Sequence, residues 1–267
     1  MYDFLISVAC YNNEKEIINF AKNLRKQTLF GRIKLVVTCN SCSKIDDFKS
    51  DLKDVFENSE VFVPEKNLGY LNGCLYGFQN QIDSYKWGLI SNTDIEFPSV
   101  DFFEKILSFK DENIWCVAPN VVVAKTGIHQ NPFRIRRIPK FKKKIKDFIF
   151  SHYISYFLYW QLHYLKLFFQ KKKEVHAEPS GFVYAAHGCC FILRKDCINA
   201  LLAENNQIFM YDEEIFVAEV LLNHDKKCFY DQTLNVVHDE SQVTGKINHK
   251  VKQKWFKQSI VYLKKFY

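Results

Sequence analysis

The chain has 267 residues, 48% of them hydrophobic, which is enough for one large domain or two small ones with a substantial buried core. Its 9 cysteines are odd in number and scattered, which excludes a disulfide framework and predicts buried thiols in a reducing compartment. The formal charge is +7, yet residues 134–173 alone hold 12 Lys/Arg against one acid, Asp147, so the rest of the chain is acidic and a generally polycationic protein is excluded.

Met1-Tyr2-Asp3 leads straight into Phe4-Leu5-Ile6-Ser7-Val8, a run too short for a signal peptide and with no basic segment before it. That run, through Ala9, predicts a first strand ending at Tyr11-Asn12-Asn13. Ile17, Ile18, Phe20, Ala21 and Leu24 recur at helical spacing within 14–27. Ile33–Thr38 predicts a second strand, 44–57 a helix, Val61-Phe62-Val63 a third strand and 70–84 a helix. Trp87–Ser91 predicts a fourth strand, Ser99 the cap of a helix running to Phe109, and Ile114–Pro119 a fifth strand. The rhythm breaks over about 125–178. Beyond it, Phe182–Leu193 predicts a strand, Asp196–Ala203 a short helix, 212–223 a helix, Phe229–His238 a late strand and 248–267 a basic amphipathic tail. Strands alternating with helices imply an α/β fold, a mostly parallel sheet with helices on both faces. The simplest organisation is one continuous domain over 1–240, with a basic helical element at about 134–175, followed by a helical tail over 241–267.

Asn92-Thr93-Asp94 is the most telling tripeptide. It follows the apolar Trp87-Gly88-Leu89-Ile90 and so sets a carboxylate at the C-terminal edge of the sheet, where open α/β sheets bind ligands. A carboxylate there suits a hard divalent cation shared with substrate phosphates. Asn67-Leu68-Gly69-Tyr70-Leu71-Asn72-Gly73 opens a helix; its glycines allow close backbone approach and the helix N-terminus favours anions. It is neither GxGxxG after the first strand nor a Walker loop, so dinucleotide and P-loop readings lose support. Asp212-Glu213-Glu214 starts a helix: either a helix-dipole arrangement or a crowded, partly desolvated pair fit to act as general base. His238 ends the last strand, where a neutral imidazole could complete a metal site with Asp94. Cys39-Asn40-Ser41-Cys42 is formally CxxC, but the sequence supplies no second ligand pair at zinc spacing.

In this order the segments resemble glycosyltransferase family 2, the inverting GT-A enzymes, and within it the bacterial rhamnosyl- and galactofuranosyl-transferase-like branch. The likeness covers most of residues 4–240. The resemblance places Ala9, Tyr11 and Asn12 in the uridine- or thymidine-binding loop, and Asn40 in the family's Asp-Asn-x-Ser segment, with Cys39 standing for the Asp. Asn67, Gly69, Asn72 and Gly73 fall on its Asn-x-Gly-Phe-Ala-x-Gly loop, where Leu75 replaces a frequent second Asn. Asn92, Thr93 and Asp94 stand at the DxD-type motif, with Asn92 in place of the first Asp and Asp94 as the main metal carboxylate. His187–Arg194 is similar to the acceptor-side Gly-rich strand. Glu213 and Glu214 stand for the Glu-Asp segment that carries the base, Glu214 at the Asp position, and His238 falls where some members bind metal. The resemblance implies a GT-A, Rossmann-like fold and transfer of a sugar from a UDP- or dTDP-sugar to a glycan or lipid-linked acceptor, assisted by Mg²⁺ or Mn²⁺, in bacterial surface polysaccharide assembly.

Residues 148–169 include ten aromatics and lie between lysine clusters. On a single helical wheel Ser151, His152, Ser155, His163 and Lys166 share one arc, which predicts an interfacial helix lying on an anionic membrane and not a spanning one. The expected location is the cytoplasm, peripheral on the inner face of the cell membrane. The competing readings are a helix packed on the core or on a second subunit, a GT-A nucleotidylyltransferase, which lacks its Gly-rich signature here, and a nucleic-acid-binding protein stacking bases on those aromatics. Aromatics mixed with Leu and Ile at helical spacing favour lipid, so no nucleic-acid partner is expected.

Overall fold

The structure is a computed structural model that describes residues 1–169, 176–240 and 247–267. The first half follows the expected alternation: β1 (Phe4–Tyr11), α1 (Glu14–Leu24), β2 (Ile33–Ser41), α2 (Ile45–Val55), β3 (Ser59–Phe62), α3 (Leu71–Asn80) and β4 (Trp87–Ser91). Helical crossovers make β3-β2-β1-β4 a parallel run. Next come β5 (Ile95–Glu96), α4 (Phe102–Leu107), β6 (Ile114–Val123), α5 (Lys140–Ser151) and α6 (Tyr153–Phe169). The chain continues through β7 (Gly181–Val183), β8 (Cys190–Arg194), α7 (Lys195–Ala203), α8 (Glu213–Asn223), β9 (Lys227–His238) and α9 (His249–Leu263). The sheet runs β3-β2-β1-β4-β8-β6-β9-β5, with β7 on β9. Its longest pairings, β1 with β2 and β6 with β9, are parallel, while β8 enters antiparallel between β4 and β6.

The period-two pattern of β1 explains the two-sided core. Phe4, Ile6 and Val8 face α1, α2 and α4, packing with Phe20, Leu52 and Phe103. Leu5 faces the other way, with Leu71, Phe78, Ile198 and Phe216 from α3, α7 and α8. Each of these large side chains, fully removed from water, stabilises by about 1.5–3 kcal/mol. Gly77 lets α3 lie close on the sheet, since a Cβ there would press on Ser7 Oγ and on Val36.

Four local expectations change. The predicted strand Phe182–Leu193 is two strands, β7 and β8, separated by the segment that carries His187 and Gly188. The cap of α4 is Asp101; the Ser99 hydroxyl instead donates to the Asp101 carboxylate. Cys39 and Cys42, expected as thiols, are joined as a disulfide, whereas the other seven cysteines are free and buried. The single helix expected over 148–169 breaks at His152, whose backbone is extended, so α5 and α6 form a hairpin and the one-wheel polar arc does not exist.

That hairpin packs inward on α9 through Phe150, Tyr156 and Ile260, with Trp160 and Phe256 beside them. Its outward side is apolar. Phe141, Ile145 and Phe148 repeat at i, i+4 and i+7 on α5, and Ile154, Leu158, Leu162 and Leu165 line α6, with Ile154 75% exposed. Lys140, Lys142 and Lys144 are exposed among them, whereas Lys143 is buried and pairs with Asp147 at 2.7 Å. Lys171, Lys172 and Lys173 lie outside the described residues. No helix among the described residues is long and apolar enough to cross a membrane.

Candidate active site

A cleft of about 640 Å³ opens over the C-terminal ends of β1, β2 and β4. Ala9, Tyr11, Asn40, Asn67, Gly69, Asn92, Thr93, Asp94, Glu213, Glu214 and His238 all line it. Asn12, Asn72 and Gly73 do not, and each has a packing reason. Asn12 takes a left-handed backbone (φ 56°) and its amide oxygen accepts from Ser41 Oγ at 2.9 Å. The Asn72 amide donates to the carbonyls of Asn206 and Ile208, tying α3 to the loop after α7. Gly73 leaves room for Ala9 and Asn40, either of which a Cβ would meet at 3.2 Å.

The donor-side loop is held by side chains. Asn40 donates to Gly69 O at 2.9 Å and accepts from Leu68 N at 2.9 Å, so its amide is spent on the loop. Asn67 accepts from Gly69 N at 2.8 Å, an Asx turn. Gly69 has φ +80°, and a Cβ there would collide with the Phe209 carbonyl, so only glycine fits both the angle and the approach. Thr93 accepts from Asn13 Nδ2 at 2.9 Å and donates to Glu16 Oε2 at 3.3 Å, which fastens the loop after β4 to the start of α1.

Asp94 and His238 meet because of a pairing too short to see in sequence. The two-residue β5 runs antiparallel to β9 with Ile95 opposite His238. His238 Nε2 thereby lies 3.3 Å from Asp94 Oδ1 and 3.5 Å from Asn92 Nδ2. His238 Nδ1 bonds the amide oxygen of Gln130 at 2.7 Å, and Gln130 donates onward to Glu240 at 2.8 Å. An amide oxygen only accepts, so His238 Nδ1 donates to Gln130, which fixes the ring with Nε2 turned toward Asp94. A carboxylate and an oriented imidazole nitrogen side by side are a donor set that fits a divalent cation such as Mn²⁺ or Mg²⁺.

The acid pair sits across the cleft at the start of α8. Two consecutive non-glycine residues, Tyr211 and Asp212, are left-handed (φ 71° and 63°), a local strain of about 1–3 kcal/mol each. Asp212 is buried and paired with Lys146 of α5 at 2.8 Å. Glu213 is buried and accepts from Tyr211 N at 2.9 Å; Glu214 keeps partial exposure and accepts from Gly188 N at 3.2 Å. Burial, reinforced by the Glu214 charge, pushes the Glu213 carboxyl up to about 8. Burial also raises Glu214, with Asp212 adding to it and the Gly188 N–H and Lys146 opposing. Both glutamates line the cleft and both accept a backbone N–H; Glu214 is the more exposed of the two and has the Lys146 charge favouring its ionised form.

Other residues that are not among the expected ligands also line the cleft. His187 accepts from Cys189 N at 3.2 Å through Nδ1, and burial, then His238, pushes its imidazole down to about 4, so it faces the cleft as a neutral Nε2–H donor. Phe209, Met210, Tyr211 and Trp255 form an apolar wall beside Glu214. Trp255 stands 5.1 Å from the Phe209 ring, and Tyr211 stacks on Phe256 at 4.4 Å. Trp255 comes from the C-terminal α9, which the sequence offers only as a basic tail.

No family model matches the sequence, and no curated protein matches it. Solved structures do share its fold. One is a mannosyltransferase, PcManGT from Pyrobaculum calidifontis, in complex with GDP-Man and Mn²⁺; it is 11% identical with a TM-score of 0.56, and the match covers 91% of this chain and 59% of that one. Another is GalNAc-T7 with UDP, GalNAc and Mn²⁺, 11% identical with a TM-score of 0.59, matched over 89% of this chain and 43% of that one. The chain thus spans less than two thirds of either protein's length. Its curled α/β sheet with helices on both faces is the fold of the GT-A-type glycosyltransferases.

Proposed function

We propose that this chain is an inverting, metal-dependent glycosyltransferase of the family 2 kind, moving a sugar from a UDP- or dTDP-sugar to a hydroxyl of a glycan acceptor. The observation that carries the reading is one cleft holding two distinct chemistries: the Asp94–His238 pair on one side and the raised Glu213–Glu214 pair on the other. The similar structures, bound to nucleotide sugar or its parts and Mn²⁺, support it.

In this reading the loops carrying Tyr11, Asn40, Asn67 and Gly69 receive the nucleoside. Asp94 and His238 would hold Mg²⁺ or Mn²⁺, which when bound offsets the charge that develops on the leaving diphosphate. Glu214 takes the proton from the acceptor hydroxyl, and attack from the face opposite the leaving group inverts the anomeric centre. The His187 Nε2–H is placed to donate to an oxygen of the substrate. Purified protein should gain thermal stability with one class among UDP-, dTDP- and GDP-sugars, and more with Mn²⁺ present, because a ligand that binds only the folded state raises its midpoint. No response to any donor, with or without metal, would remove the reading.

The wall of Phe209, Tyr211 and Trp255 is read as the seat of the acceptor ring, whose C–H face packs on aromatic surface. Trp255→Ala is expected to raise the acceptor KM about tenfold, roughly 1.4 kcal/mol, and to leave the donor KM unchanged. A change in donor KM alone would move this wall to the donor side.

We read residues 1–240 as the catalytic domain and 241–267 as a helical extension of it. The acceptor is read as lipid-linked, in bacterial surface polysaccharide assembly, with the protein cytoplasmic and peripheral on the inner face of the membrane. The support is the outward apolar face of the α5–α6 hairpin with Lys140, Lys142 and Lys144 among its residues, since each lysine near an anionic surface contributes about 1 kcal/mol. Replacing those three by Gln should weaken co-sedimentation with anionic vesicles by about 100-fold, roughly 3 kcal/mol. Lys143 is left in place because it is buried against Asp147. Equal sedimentation of variant and wild type would hand the face to a protein partner.

A further inference from the structure

The Cys39-x-x-Cys42 spacing lacks a second ligand in the sequence, and the fold supplies one. β1 and β2 pair in parallel with Cys10 opposite Cys39. The Cys10 and Cys42 sulfurs lie 3.5 Å apart, and the sulfurs of Cys10, Cys39 and Cys42 are all within 4.8 Å of one another. Tetrahedral Zn–S bonds of about 2.3 Å put sulfurs roughly 3.8 Å apart, close to the Cys10–Cys42 separation, and the bonded Cys39 and Cys42 sulfurs part toward that spacing once the disulfide opens. Among the described residues it is the only group of three or more such ligands. Cys10 and Cys39 are buried, and Cys42 is partly exposed, which gives an ion a way in.

We infer that Cys10, Cys39 and Cys42 form a binding site for one thiophilic metal ion, Zn²⁺ or an ion of similar softness, available only when the Cys39–Cys42 disulfide is reduced. The site is separate from the Asp94–His238 pair and independent of the proposed activity. Two steps lead to it. A phosphine reductant, with water, converts the disulfide to two thiols and itself to the phosphine oxide. Zn²⁺ then displaces three thiol protons, forms three Zn–S bonds and leaves a fourth position for water. Burial pushes the Cys10 thiol up to about 11. It is thus a poor nucleophile at neutral pH, which disfavours the rival idea that Cys10 exchanges into the disulfide. The site adjoins the cleft directly: Tyr11 follows Cys10, and Asn40, which holds the Gly69 loop, follows Cys39.

The test uses Co²⁺ as a spectroscopic stand-in for Zn²⁺. Phosphine-reduced wild type, freed of reductant under anaerobic conditions, should show a thiolate-to-cobalt charge-transfer band that saturates at one Co²⁺ per band-forming site and is removed by Zn²⁺. Protein left with the disulfide closed should show no band; this arm needs no substitution and is immune to misfolding of variants. Cys10→Ser and Cys42→Ser should each abolish the band or weaken it more than tenfold. Cys74→Ser and Asp94→Ala should keep it, the latter separating it from the carboxylate–imidazole pair. A reduced wild type without a band, a band in the disulfide form, or a band that survives Cys42→Ser would each overturn the site.

Discussion

Asp94→Ala is expected to cost at least about 10³-fold in sugar transfer while the protein stays folded. The Asp94 carboxylate is the main anionic ligand of the proposed cation, and cation assistance to a departing diphosphate is worth several kcal/mol, each 1.36 kcal/mol being tenfold in rate. The fold has little to lose. Asp94 lines a cleft, where its carboxylate lies 3.3 Å from His238 Nε2. The measurement is nucleotide release with Mn²⁺, next to a thermal midpoint of the same sample. Wild type treated with chelator should match the variant and recover with Mn²⁺. Full turnover in chelator would strike out the metal, and with it the assigned role of Asp94.

Glu214→Gln should keep donor binding and lose turnover by about 10²-fold or more, since only the acceptor proton depends on it. Wild-type turnover should rise with pH through a limb above the ordinary glutamate value of about 4.3, because burial raises Glu214 and only its ionised form accepts a proton. Glu213→Gln separates the partners. Glu213 stays protonated in the folded protein up to about 8, whereas the unfolded chain releases that proton near 4.3. Between those values the unfolded state binds fewer protons, so folding stability falls as pH rises across this window and levels off above it. Glu213→Gln should flatten that fall and retain most of the turnover. The opposite pattern, Glu213→Gln inactive and Glu214→Gln normal, would move the base by one residue.

The strands and helices of residues 1–120 are legible in sequence because period two and period 3.6 alternate cleanly there, with buried runs such as Phe4–Val8 and Trp87–Ile90 marking strands. What escapes is what two distant segments do together. The β5–β9 pairing that brings Asp94 to His238 spans two residues, too few for any periodic signal. The Cys10–Cys42 approach depends on the register of β1 on β2. Trp255 joins the cleft only because α9 folds back over the loop before α8. The hairpin misleads a single-wheel reading because one extended residue, His152, resets the rotation between α5 and α6. Asn12, Asn72 and Gly73 look like ligand-binding positions in the motif, yet their side chains or their lack of one serve turns and packing.

Adjacent residues of α9 point to different clients. Trp255 stands against Phe209 in the cleft wall, and Phe256 wedges between Tyr211 and Phe150 of the hairpin. Lys146, on the hairpin itself, holds Asp212 beside the acid pair. The hairpin that carries the outer apolar face and the seat read for the acceptor are thus joined through the hairpin's inner side, and any free-energy linkage between them runs both ways. If attachment of the hairpin to a surface tightens acceptor binding by some factor, a bound acceptor tightens attachment by the same factor. An enzyme so wired would dwell longest on patches of surface rich in its own acceptor, a form of targeting that needs no separate receptor.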